Sequence, residues 1–169
     1  MAPRRRHGMI AGDGIAMRPF TESLPMALLQ AREATMRRFR PLLTDHDLTE
    51  QQWRVLRALA AVDEPTAVGE LADHTFLLAP SLSRILTNLE GRNLVERRAV
   101  AHDQRRATIA LTATGRAVVR RIAPSSETVY NQIEAEYGAV RLRKLLADLH
   151  ELAALDIGAQ VGAIEGEAS

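Results

Sequence analysis

Apolar residues along this chain fall mostly at helical spacing. Between Glu22 and Thr44, Leu24, Leu28, Ala31 and Thr35 recur at i, i+4, i+7 and i+11, flanked by Leu29, Met36 and Phe39. That is the stripe of one helix. Pro25 suits its first turn, where a missing N–H costs little, and Pro41 should bend the helix or end it nearby. A second helix start is written at Leu48-Thr49-Glu50-Gln51-Gln52-Trp53. Thr49 is the cap, Gln52 stands where it closes a capping box, and Leu48 can staple onto Trp53. That helix should run to about Val62, before Pro65.

The pattern then shortens. Thr66-Ala67 can pair briefly as a strand, and Val68–His74 is a short helix with Val68, Leu71 and Ala72 inward. Phe76–Ala79 reads as a turn, and Pro80 opens the next helix. There Leu82, Ile85, Leu86 and Leu89 fall at i, i+3, i+4 and i+7 and form a buried stripe. The opposite face is Ser81, Arg84, Thr87 and Asn88, with Ser83 at its edge. It is polar, short-armed and free of acids, which suits close approach to base edges and phosphates; an ordinary solvated face carries Lys and Glu instead. Asn93 sits where a left-handed residue should end this helix. Val95–Val100 and the alternating Ala107, Ile109 and Leu111 are two strands of a hairpin, with His102–Arg106 as its tip.

Thr112 caps a second long helical region, through Val118, Val119, Ile122, Val129, Ile133 and Tyr137, with a kink expected at or just before Pro124. Gly138 breaks it. A last helix carries Leu142, Leu145, Leu146, Leu149 and Leu152. The pattern therefore predicts a mainly α fold: a winged helix-turn-helix over residues 49–112, between helical flanks at 22–46 and 113–155. Residues 1–20 and 157–169 read as flexible tails. Arg4–Arg6 offer a loose phosphate-binding arm; the plainer alternatives are a solvated tail or a true start at Met17. The flanks carry more apolar surface than a unit of this size covers, so dimerisation through the first and last helices is expected.

Composition changes this picture little. With 46% hydrophobic and 25% charged residues the chain can bury a core without staples. There is no cysteine, which excludes disulfides and thiol sensing. No apolar run approaches a membrane span, and no leader pattern follows Met1, so the expected location is cytoplasmic. Lys and Arg number 22 against 21 Asp and Glu, for a net charge of +1. The asymmetry is local: residues 92–106 hold five Arg against Glu96 and Asp103, and a phosphate-binding patch needs charge in one place. No Gly-rich phosphate loop or nucleophile motif is present, so no enzyme and no cofactor is expected. Asp45-His46-Asp47 is the one hint of a metal, but its acids flank the histidine on different sides.

Five stretches together resemble the MarR family of bacterial transcription regulators, over roughly residues 22–155. They are Glu70-Leu71-Ala72, Ser81-x-Ser83-Arg84-x-Leu86-x-x-Leu89-Glu90, Leu94-Val95-x-Arg97, Asp103-x-Arg105-Arg106 and Ile109-x-Leu111-Thr112-x-x-Gly115. Ala27–Ala34, Phe39-Arg40-Pro41 and Leu48–Arg54 are similar to the branch that represses catabolism of homoprotocatechuate and 4-hydroxyphenylacetate. The chain departs from that pattern at Ala79, Asn93 and Pro124.

The resemblance implies a dimer on double-stranded DNA, reading a palindromic operator with half-sites about 10–10.5 bp apart. Ser81, Ser83, Arg84, Thr87 and Asn88 are the expected contacts in the major groove. Arg105 is expected in the minor groove, Arg106 on phosphate, and Asp103 pairing with an arginine to orient it. Arg97 and Arg98 either hold phosphates or line a solvated strand edge.

The resemblance also implies a pocket for a small aromatic carboxylate between the first two helices. Arg32 or Arg54 would meet the carboxylate, Trp53 the ring, and Gln30 or His46 a hydroxyl. In the alternative, Arg32 pairs with an internal acid and Trp53 is plain core. The rival functions are a metal-sensing regulator and a ligand-independent architectural DNA-binding protein.

Overall fold

The computed structural model describes residues 19–100 and 103–155, with the backbone alone at 99–100 and 103–106. The two expected tails, apart from a short 3-10 turn at Phe20–Glu22, and His102 lie outside the described residues. The elements follow in the order α1 (Leu24–Thr44), α2 (Glu50–Ala60), β1 (Thr66–Ala67), α3 (Val68–Thr75), α4 (Ala79–Gly91), β2 (Val95–Val100), β3 (Asp103–Leu111), α5 (Ala113–Tyr137) and α6 (Ala139–Ala153). The chain divides into two units, 1–126 and 127–169, with the boundary inside α5.

In the first unit the starts of the helices are fixed by local chemistry. Thr49 accepts from the Gln52 backbone N–H at 3.1 Å, and the Gln52 side chain accepts from the Thr49 N–H at 2.9 Å. This reciprocal box satisfies two N–H groups that a helix start leaves open. Pro25 occupies the first turn of α1 as expected, and α1 continues past Pro41 for three residues, ending at Thr44. Likewise α5 runs on through Pro124.

Leu82, Ile85, Leu86 and Leu89, the stripe read from the sequence, are all buried, and they share one core with Leu43, Leu56, Leu71, Ile109 and Ile122. Leu48 and Trp53 are buried in the same cluster, as a staple requires. The core thus fastens α2, α3 and α4 to the sheet. That sheet is antiparallel in the order β1-β3-β2, with Ile109 opposite both Thr66 and Arg97.

The hairpin differs from the expectation. Val100 pairs with Asp103, with a register shift at Ala99/Val100. Residues 103–106 therefore belong to β3 and not to a five-residue tip. Antiparallel strands favour short connections, and pairing continues as far as the turn allows. The helix-turn-helix turn is also shorter than expected, because α4 begins at Ala79.

The base of the wing is tied to α5 at Thr112. Its hydroxyl donates to the Asn93 carbonyl at 2.6 Å and accepts from the Gly115 N–H at 3.0 Å. Asn93 takes the expected left-handed backbone, with φ of 55°.

In the second unit, Gly138 turns the chain at φ of 96° and α6 follows. Arg141 stacks 4.6 Å from the Tyr137 ring centre, and Lys144 pairs with Asp148 one turn on. None of its described residues is buried.

Gly115 yields a test. A Cβ built there would lie 2.0 Å from the Leu94 carbonyl oxygen and 3.2 Å from Leu111 Cδ2. An exposed helical glycine replaced by alanine normally gains about 0.5–1 kcal/mol. Here Gly115→Ala should instead cost about 1–3 kcal/mol, because a backbone oxygen cannot step aside. A lower urea midpoint checks this; an unchanged or higher one contradicts the close packing.

Candidate nucleic-acid interface

Because the apolar stripe of α4 is turned into the core, its other face is presented outward. Ser83, Arg84, Thr87 and Asn88 are exposed and Ser81 is half-buried. No partner for the Arg84 guanidinium lies among the described residues. The Thr87 hydroxyl donates to the Ser83 carbonyl at 3.0 Å. Asn88 accepts at Oδ1 from Gln52 Nε2 at 2.7 Å, a bond from α2 across 36 residues of sequence. So four of the five candidate contacts share one open face, and one of them is held by a neighbouring helix.

The wing gives less detail. Asp103, Arg105 and Arg106 lie at the start of β3, but their side chains are outside what is described, as are any contacts they make. Arg98 pairs with Glu96 on the same strand, and Arg97 approaches Glu90 of α4 at 3.9 Å. Both arginines are exposed, so these pairs leave them open to exchange for phosphate.

The candidates for effector binding are engaged in separate places. Arg32 of α1 donates to Glu50 of α2 at 2.6 Å and to Glu33 at 3.0 Å. Arg40 donates to the same two acids, at 2.6 Å each. The four residues form a closed ring in which each acid bridges both arginines. The carboxylate that Arg32 calls for is therefore already present inside the chain. Burial pushes the Glu50 carboxyl up, but hydrogen bonds from Arg40 and Arg32 outweigh it and hold the group below the usual carboxylate range. Arg40 is held above its ordinary value by its hydrogen bonds to Glu33 and then Glu50.

Arg54 answers to a different place. Its Nη1 donates to the Thr75 carbonyl at 3.0 Å, at the end of α3. The last carbonyls of a helix are unpaired and carry partial negative charge, which attracts a cation. Trp53 is buried core, His46 is half-buried just after α1, and Gln30 is exposed on α1. Among the described residues no cluster of three or more His, Asp and Glu side chains could hold a metal.

Three pairings escaped sequence reasoning. Arg40 and Glu33 are seven apart on one helix, a separation that could have been read. Glu50 meeting Arg32, and Gln52 meeting Asn88, join residues 18 and 36 apart, and no local pattern signals them.

The sequence profile of the MarR family matches residues 46–106. The homoprotocatechuate degradative operon repressor of Escherichia coli is 44% identical over 135 residues, which cover 79% of this chain and 90% of the relative. Two solved structures are similar. NadR in complex with 4-hydroxyphenylacetate has a TM-score of 0.72 and 37% identity, covering 84% of this chain and all of that one. The repressor CouR bound to a 23-mer DNA duplex has a TM-score of 0.73 and 27% identity, covering 83% and 99%. With that extent of identity to a relative covered almost end to end, on a winged helix-turn-helix whose reading face is open, the chain belongs to the MarR family of transcriptional regulators.

Proposed function

We propose that this chain is a repressor that holds a palindromic operator as a two-fold dimer and leaves it when a small aromatic carboxylate binds. The observation that carries the reading is the outward face of α4, on which Arg84 is unclaimed among the described residues and the one acid, Glu90 near the helix end, lies against Arg97. A helix of this diameter fits the major groove. The face would meet base edges and phosphates through Ser81, Ser83, Arg84, Thr87 and Asn88. The wing would follow the backbone, with Arg105 in a narrow minor groove, Arg106 on phosphate and Asp103 orienting an arginine. The likeness to a regulator solved on a DNA duplex supports this assignment.

Dimerisation is supported by apolar surface that the single chain leaves open. On α1, Leu24 is 47% and Leu29 48% exposed; on α6, Val140 is 72% exposed. Exposed apolar faces of this kind mark interaction sites, and a two-fold dimer matches a palindrome.

The effector class rests on relatives. One is named for repressing a homoprotocatechuate degradative operon, and one was solved with 4-hydroxyphenylacetate. In this chain an arriving carboxylate would compete with Glu50 and Glu33 for Arg32, leaving Arg40 to hold both acids. Arg54 on α2 is the alternative for the carboxylate, Trp53 the candidate for the ring, and Gln30 or His46 from the α1 side the candidates for a hydroxyl. Exchange at Arg32 would loosen α1 from the start of α2. It would move the dimer off DNA only as far as the acid binds one conformation better than the other.

Three measurements test the reading. Arg105→Ala should weaken operator binding by about ten-fold or more while the dimer stays folded, and Arg106→Ala should reduce the salt slope by about one. Unchanged affinity and slope would remove the wing from the interface. Calorimetric titration with 4-hydroxyphenylacetate should show binding that releases operator. Arg32→Ala should weaken that binding by about ten-fold; wild-type affinity in the variant would move the carboxylate elsewhere.

A further inference from the structure

The amide of Gln52 can face only one way. Its oxygen accepts the Thr49 N–H at 2.9 Å, and an N–H group has only a hydrogen to offer. Oε1 must therefore lie on the cap side, and Nε2 on the other. Nε2 then donates to Asn88 at 2.7 Å, so the Asn88 atom that receives it must be Oδ1. A second amide is oriented by the first. Asn88 is left with the two N–H donors of Nδ2, which have no partner among the described residues and lie on the exposed face of α4. The helix cap of α2 thus decides which hydrogen-bonding polarity α4 shows at this position.

We propose that Gln52 is a positioning residue for DNA recognition, fixing the Asn88 amide so that its Nδ2 donors face the duplex. This rests on the assignment of the α4 face to DNA and adds the chemistry of one contact. Asn commonly reads adenine with both amide atoms, accepting from N6 and donating to N7. With Oδ1 bonded to Gln52, one of its two lone pairs is taken and both Nδ2 hydrogens stay available. Asn88 therefore meets the duplex chiefly through Nδ2, which takes an acceptor: a base atom such as guanine N7 or O6, adenine N7 or thymine O4, or a phosphodiester oxygen.

Gln52→Glu is the test. A glutamate side chain still accepts the Thr49 N–H, being the other residue type that closes a capping box, so α2 keeps its start. It cannot donate. Asn88 must then turn Nδ2 toward the introduced carboxylate and present Oδ1 to the DNA. Selection from a randomised duplex library with the full-length chain first defines the operator; if no sequence is enriched, the DNA assignment itself fails.

On the selected operator, Gln52→Glu should bind on the order of ten-fold more weakly, with an unfolding midpoint near wild type. A loss accompanied by a changed base preference at one symmetric pair of positions identifies a base acceptor. A loss uniform over sequences identifies phosphate. The added negative charge is separated by repeating the change in an Asn88→Ala background, where the effect should shrink by about three-fold or more. If Gln52→Glu weakens binding by the same factor with and without Asn88, or leaves wild-type affinity and preference, Gln52 does not act through Asn88 and the proposal is overturned.

Discussion

The first turn of α2 is the constraint on which the DNA-binding unit depends. Within five residues it closes a capping box through Thr49 and Gln52, anchors α1 through Glu50, touches α4 through Gln52, and enters the core through Trp53. Each bond is modest alone, since an exposed hydrogen bond or ion pair contributes about 1 kcal/mol or less net. Their effect comes from sharing one rigid turn. Glu50 meets α1 and Gln52 meets α4 from the same turn. The helix expected to face a second copy and the helix expected to face DNA are thus joined through neighbouring residues of one turn.

That arrangement explains why the charge balance matters little here. A net charge of +1 gives no general attraction to DNA. What a duplex would meet is a polar face whose one acid, Glu90, lies near the helix end against Arg97, and on which Asn88 is already oriented. Four acids of this unit are occupied: Glu50 and Glu33 by two arginines, Glu96 and Glu90 by Arg98 and Arg97. Such pairs are weak at a surface and readily exchanged, which makes them suitable places for a phosphate or an effector carboxylate to enter.

Periodicity made the helical layout legible. Leu82, Ile85, Leu86 and Leu89 announced both the buried stripe and, by subtraction, the reading face of α4. Thr49 with Gln52, and Thr112 before Gly115, announced helix starts that the hydrogen bonds bear out. Tertiary pairing was not legible. Arg32 showed a need for a carboxylate but not that Glu50 would meet it. Gln52 looked complete as half of a capping box, and its second amide atom had no visible task. The hairpin tip came out too long because charged Asp103–Arg106 read as loop, while strand pairing is decided by the backbone opposite and not by the side chains' polarity.

The most direct measurement is a structure of the chain on its selected operator. The expected complex has α4 in the major groove, with the Gln52 Nε2–Asn88 Oδ1 bond kept and Asn88 Nδ2 within hydrogen-bond distance of an acceptor on the duplex. A complex in which the polar face of α4 is turned to solvent, or in which Asn88 has lost Gln52 and meets the DNA through Oδ1 alone, would contradict it.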